Sequence, residues 1–217
     1  MSNQDTHNEA GKFYSYEKRR GILPISWEDY FGLCKGLALA ISAYDPEIIL
    51  GVARGGLYAA TLLSHILQAE LYTIRITRRF KDQVVYDNPV WIVKPPSIVK
   101  DQRVLIVDEI CGAGRTLTMI KEEVGRLGAS EMRSAVLYAH EQGKDIPDYI
   151  GIISDALILN PWDREIIREG QFVLHPEYVH ALAQQGIEPD TSLLGSVLRR
   201  EPRSRKVDKC GTVFEET

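Results

Sequence analysis

The residues of this chain best suited to chemistry stand together at the end of one apolar run. After "VLIV" come Asp108 and Glu109, then Ile110 and Cys111, then Gly112, Ala113, Gly114, Arg115 and Thr116 at the start of an amphipathic stretch. Two adjacent carboxylates can accept hydrogen bonds from two neighbouring hydroxyls. Small residues before a helix let backbone N–H groups converge on one anion, the helix N-terminus adds positive potential, and the Thr116 hydroxyl can donate as well. The combination suits a sugar phosphate, with phosphate and diol read together. A Walker loop would need Lys-Ser or Lys-Thr after its second glycine, and a dinucleotide fingerprint would place its glycines after the first strand. Neither pattern is present.

Two further groups carry chemical potential. Val52, Ala53, Arg54, Gly55 and Gly56 end a short apolar run with a cation and two residues that allow close backbone approach to an anion. The plainer alternative is that the glycines only start a helix. Asn160, Pro161, Trp162 and Asp163 offer a flat aromatic face for a planar heterocycle beside an acid. Here the alternative is a core tryptophan.

These residues need a scaffold, and the sequence predicts one of alternating strands and helices. "SWEDYFGLCKGLALAIS" has a cap-like Ser26, early acids and helical apolar spacing, and it ends before Asp45 and Pro46. "EIILGVA" and "LYAATLLSHILQ" read as strand, loop and helix, followed by the strand "ELYTIRI". Residues 77–100 mix charge, aromatics and prolines and read as a long excursion from the core. Its Arg78, Arg79 and Lys81 are candidate anion contacts, although a solvated charge cluster is the commoner outcome. "RVLIVDEICGAGRTLTMIKEEVGRLG" is a strand, glycine loop and helix closed by Gly128; "RSAVLYA" and "IGIISDALILN" are the last core strands. The expected fold is α/β, a central parallel sheet flanked by helices. We divide the chain into an arm (residues 1–20), a core with a small hood (21–165) and a C-terminal extension (166–217), with helices expected over 176–185 and 192–199.

Composition narrows the function classes. The 217 residues are 44% hydrophobic and 26% charged, enough for one well-buried domain. A net charge of -4 argues against nucleic acid as a partner. Three widely spaced cysteines fit neither a disulfide framework nor a metal knuckle, and no apolar run approaches the length of a membrane span. The expectation is a cytoplasmic protein with no membrane or nucleic-acid partner. Cys111 is expected to face the core.

The strand ending in Asp108 and Glu109, with its short loop into Thr116, resembles the phosphoribosyl pyrophosphate signature of type I phosphoribosyltransferases. Arg54, Gly55 and Gly56 look like that family's pyrophosphate loop. Asn160, Pro161, Trp162 and Asp163 resemble the hood element of its xanthine-guanine branch. With gaps, the resemblance runs over residues 25–163. It implies the type I fold with a small hood, and a Mg2+-dependent transfer of 5-phosphoribosyl from phosphoribosyl pyrophosphate to a purine or modified purine-like base, in a homodimer or higher homo-oligomer. It also implies catalytic roles for Asp108, Glu109 and Arg54, and donor binding by these with Gly55, Gly56, Gly112, Ala113, Gly114, Arg115 and Thr116. Base contacts would come from Ile110, Gly112, His140 and Trp162, and the metal side would be Asp108, Glu109 and Asp163.

Three positions depart from the pattern. Gly112 stands where 6-oxopurine enzymes carry the aspartate proposed as general base, and Ala113 where a threonine is usual. Backbone amides survive both changes, but losing a positioned acid or base costs about a hundred- to ten-thousand-fold in rate. His140 falls at the position of a lysine that recognises an exocyclic oxygen. It can accept as well as donate, or it can simply close a strand end. The departures suggest an acceptor other than plain hypoxanthine or guanine. They also keep open a non-catalytic sensor of phosphoribosyl pyrophosphate.

Overall fold

Ser26 begins the first helix as expected. In the computed structural model, which describes residues 19–80, 83–189, 206–207 and 213–214, its hydroxyl accepts the Asp29 amide at 3.0 Å while the Asp29 carboxylate accepts the Ser26 amide. This capping box starts α1 (Trp27–Ile41), whose buried Tyr30, Cys34, Leu37, Ala38 and Ile41 fall on one stripe.

The elements follow in order: β1 (Ile22–Pro24), α1, β2 (Ile48–Val52), α2 (Gly56–Leu67), β3 (Glu70–Thr77), β4 (Arg79–Phe80), β5 (Gln83–Val84) and β6 (Val90–Val93). Then come β7 (Arg103–Cys111), α3 (Arg115–Arg126), β8 (Glu131–Ala139), β9 (Tyr149–Ile153), β10 (Leu157–Leu159), β11 (Glu165–Arg168), β12 (Gln171–Leu174) and α4 (Pro176–Gln184). Six strands form the central sheet in the order β6-β3-β2-β7-β8-β9. All pairs are parallel except β3 with β6. Residues of α1 and α2 pack with Leu105 and Leu137 in one core, and Leu117, Ile120 and Val124 of α3 pack with Val104 and Ile106 in another. Covered on both sides, β2 is buried at all five positions.

From β2 the chain moves to β3 on one side, and from β7 to β8 on the other. Strand order reverses between β2 and β7, and in open α/β sheets the crevice beyond the carboxyl ends at such a switch point takes the ligand. Arg54 follows β2, and Asp108 and Glu109 lie near the end of β7, so the topology brings two of the sequence-predicted groups together.

The structure alters two readings. Within the excursion, "VWIV" (β6) joins the central sheet as an antiparallel edge strand; its four residues between prolines were too short to declare a core strand. "IGIISDALILN" is two strands, because the chain bends after Ile153. β9 stays in the sheet, and β10 leaves to pair in parallel with β1. β1, β10, the β11–β12 hairpin and α4 form a hood whose small core contains Leu159, Tyr178 and Leu182. The helix expected over 176–185 is α4. The one expected over 192–199 lies outside the described residues, as do Lys81 and residues 1–18. Two short strands, Lys206–Val207 and Val213–Phe214, pair antiparallel.

Candidate active site

β7 presents Asp108 and Glu109 as consecutive strand residues, so their side chains leave opposite faces of the sheet. Both are partly buried. Asp108 Oδ1 accepts the Glu109 amide at 2.8 Å. Glu109 Oε1 accepts from Asn160 Nδ2, and Asn160 Oδ1 accepts the buried Tyr138 hydroxyl at 2.9 Å. This chain of bonds fixes the Glu109 carboxylate and ties β7 to the hood. Desolvation pushes Asp108 up to about 7, opposed by the Glu109 amide. Desolvation also raises Glu109 to about 8, helped by Asp163 and Asp108 and opposed by Arg79 and Arg54. Asp163 keeps an exposed edge, yet desolvation by the surrounding walls, with Glu177 adding, raises it to about 6.

The β2–α2 loop presses directly on this pair. A Cβ at Gly55 would land on the Glu109 carboxylate, and one at Gly56 would sit 2.8 Å from Asp108 Cα and Val107 O. Glycine is required here by close approach, beyond any role in starting α2. The Ala53–Arg54 peptide is cis, and the Arg54 side chain is exposed.

On the other side of the pair, Gly112, Ala113 and Gly114 lead into α3. Gly114 has φ of 79°, and a Cβ there would meet Ile146 at 2.6 Å. The first amide of α3 with an intrahelical acceptor is that of Thr118, bonded to Gly114 O at 2.9 Å. The amides of Arg115, Thr116 and Leu117 are therefore available to an anion. A Cβ at Gly112 would meet nothing within 4 Å.

Four further predicted residues behave differently from one another. Ile110 is partly buried against the first core. His140 is buried beside the loop, its amide donating to Cys111 O at 3.0 Å. Its Nδ1 lies 2.6 Å from Ser154 O; a carbonyl only accepts, so Nδ1 carries the proton, and burial lowers the ring's pKa. Trp162 stacks on Tyr58 with centroids 4.3 Å apart and meets Tyr30 edge-on at 4.6 Å. Cys111 is buried with its thiol toward Gly143 O, and burial raises it to about 11.

A cleft of about 410 Å³ opens between the β2–α2 loop and the hood. It brings together Arg54, Gly55, Glu109, Trp162 and Asp163 of the predicted set. Asp108, Gly56, Ile110, His140 and the loop from Gly112 to Thr116 do not line it; the cradle is a separate bank on the far side of Glu109. Sequence reasoning missed Asn160 as a Glu109 partner, and it missed Tyr58, Glu165, His175, Glu177 and Tyr178 as cleft residues. Only the adjacency of Asn160 to Pro161, Trp162 and Asp163 could have pointed to the first. Arg79, read as a candidate anion contact or as part of a solvated charge cluster, is bound by Glu177 through two hydrogen bonds. Among the described residues no group of three or more His, Cys, Asp or Glu side chains is arranged to hold a metal, and no helix is long and apolar enough to cross a membrane.

An α/β sheet carries paired acids and two glycine loops at its switch point, a layout suited to an anionic ligand. The comparisons with known proteins name the family. The phosphoribosyl transferase domain profile matches residues 26–170. A purine phosphoribosyltransferase from Pyrococcus horikoshii is 33% identical, with a TM-score of 0.60 over 69% of this chain and 99% of its own. A hypothetical protein from Neisseria gonorrhoeae, solved with bound ppGpp, is 20% identical, with a TM-score of 0.58 over 77% of this chain and 98% of its own. A xanthine-guanine-hypoxanthine phosphoribosyltransferase from Helicobacter pylori is 20% identical, with a TM-score of 0.50 over 65% and 92%. No curated protein matches the sequence. The chain belongs to the phosphoribosyl transferase domain family, and it is a phosphoribosyltransferase.

Proposed function

We propose that the protein transfers 5-phosphoribosyl from phosphoribosyl pyrophosphate to a purine or modified purine-like base and releases pyrophosphate. One observation carries the reading: Gly55 and Gly56 pack directly on Asp108 and Glu109, so that an anion on the first loop and a diol on the acids would lie within reach of one small molecule. In the reaction the bond from the ribose anomeric carbon to a pyrophosphate oxygen breaks, a bond to a base nitrogen forms, and the base loses a proton. The developing charge on the ribose makes positioning and electrostatics the main contributions.

Asp108 and Glu109 accept the ribose hydroxyls. Amides of Gly112, Ala113, Gly114, Arg115 and Thr116 hold the 5-phosphate. Arg54, Gly55 and Gly56 receive the departing pyrophosphate. Ile110, His140 and Trp162 border the base, with Gly112 leaving space beside it. The resemblance puts Mg2+ beside these acids; the side chains of Asp108, Glu109 and Asp163 do not form one donor cluster, so a cation would be held by one or two of their carboxylates together with the substrate's own phosphates, where it would neutralise the pyrophosphate. The same reading places the enzyme in the cytoplasm as a homo-oligomer.

The test is pyrophosphate release from phosphoribosyl pyrophosphate and Mg2+ across purine, deazapurine and pyrimidine bases. Release with a purine-like base is expected. The second reading, a non-catalytic sensor, is favoured by Gly112 and expects binding of the donor with no release for any base.

A further inference from the structure

The matched family domain ends at residue 170, yet chain beyond it forms part of the cleft wall. α4 is firmly seated there. Tyr178 and Leu182 are buried with Leu159, the His175 amide donates to Arg164 O at 2.7 Å, and Gln185 Oε1 accepts the Gly21 amide at 2.8 Å. Its first turn carries Glu177 into the cleft. Both carboxylate oxygens are engaged by Arg79, from Nη1 at 2.8 Å and Nη2 at 2.7 Å, and the Glu177 side chain is only 12% exposed.

A guanidinium fork offers a phosphate the same paired donors that it offers a carboxylate. Arg79 lines the same cleft as Arg54 and Gly55, where the reading above places pyrophosphate. The cleft contains the carboxylates Glu109, Asp163, Glu165 and Glu177 against the guanidiniums Arg54 and Arg79. Acids outnumber guanidiniums, so an entering polyanion meets repulsion and finds one fork already held by an internal anion.

We propose that Glu177 is a built-in competitor for the donor's diphosphate: it occupies the Arg79 fork in the ligand-free chain and yields it when the diphosphate binds. Residues outside the family domain thereby set donor affinity. The proposal rests on the donor reading above and adds an affinity-determining residue to it. Glu177→Gln removes a negative charge from the wall and weakens the hold on the fork, leaving one neutral acceptor in place of a carboxylate. Arg79→Gln breaks the same pair but removes the cation that phosphate would use. A pair with a purely structural role would move binding in the same direction in both variants.

The experiment is calorimetric titration of the full chain and its variants with inorganic pyrophosphate and Mg2+, alongside thermal melting to follow the fold. Glu177→Gln should bind about tenfold tighter than the parent, Arg79→Gln about tenfold weaker, and the double variant should follow Arg79→Gln. Hydrogen exchange on the parent gives a readout independent of substitution, with pyrophosphate increasing exchange in the first turn of α4 as Glu177 is released. Glu177→Gln binding no tighter than the parent, or unchanged or greater protection of that turn, would overturn the competitor role while leaving the donor reading in place. No pyrophosphate binding by the parent or any variant would overturn both.

Discussion

The two banks of the site are made in different ways. The cradle bank, residues 108–116, is continuous in sequence, lies at the end of a strand paired on both sides, and works largely through backbone amides. The hood bank gathers β1, β10, the β11–β12 hairpin and α4 around a small separate core and works through side chains such as Trp162, Asp163 and Glu177. A bank of amides tolerates changes such as Gly112 and Ala113, because those residues still supply N–H groups. A bank of side chains can be rebuilt residue by residue to suit a different ligand. On the proposed function the 5-phosphate falls to the first bank, and the hood side chains are where ligand preference is open to change.

The comparison breaks most severely at the contact between the β2–α2 loop and the acids. Gly55→Ala drives a methyl into the Glu109 carboxylate. Pyrophosphate release should fall by about a thousandfold, with the fold retained by circular dichroism. Next comes Leu182→Ala in the hood, which should cost about 2–3 kcal/mol. If the hood is a separate unit, hydrogen exchange will show the loss there, whereas Leu105→Ala in the sheet should lower the melting point of the whole protein.

The acids provide a smaller effect with a defined sign. Asp108 and Glu109 have folded-state values of about 7 and about 8, above their ordinary 3.8 and 4.5, so the folded chain binds their protons more tightly. Their contribution to stability is fully present below the ordinary values and is lost as pH rises through the folded ones. Between about pH 4 and about pH 8 these two groups should therefore make the ligand-free protein progressively less stable. Glu109→Gln should flatten the slope, gaining about 1–3 kcal/mol at the upper end while abolishing transfer. Urea unfolding at both pH values measures this.

Gly112→Asp sharpens the comparison with the least disturbance. Open space at the Cβ predicts a stability change within about 0.5 kcal/mol by thermal melting. Restoring an acid on the tolerant bank should raise transfer to a 6-oxopurine about tenfold.

The contrast between the banks also explains what could be read from sequence. The cradle, β2, β7, α1 and α3 were legible because their signals are local: apolar runs, a serine cap, and small residues before a helix. The hood was not. Arg79 and Glu177 are 98 positions apart and Asn160 and Glu109 are 51 apart. β1 and β10 are three residues each, too short for any periodicity. The need for glycine at position 55 was suggested by the motif, but its physical cause, the Glu109 carboxylate, appears only when β2 and β7 lie side by side.

On the proposed function, the acids and the β2–α2 loop together hold one phosphorylated sugar diphosphate. Calorimetric titration of the parent, Asp108→Asn and Gly55→Ala with phosphoribosyl pyrophosphate and Mg2+ tests it most directly. The account predicts saturable binding by the parent and a loss of at least about tenfold in affinity in each variant. Binding that both substitutions leave unchanged, or no binding by the parent, would contradict it.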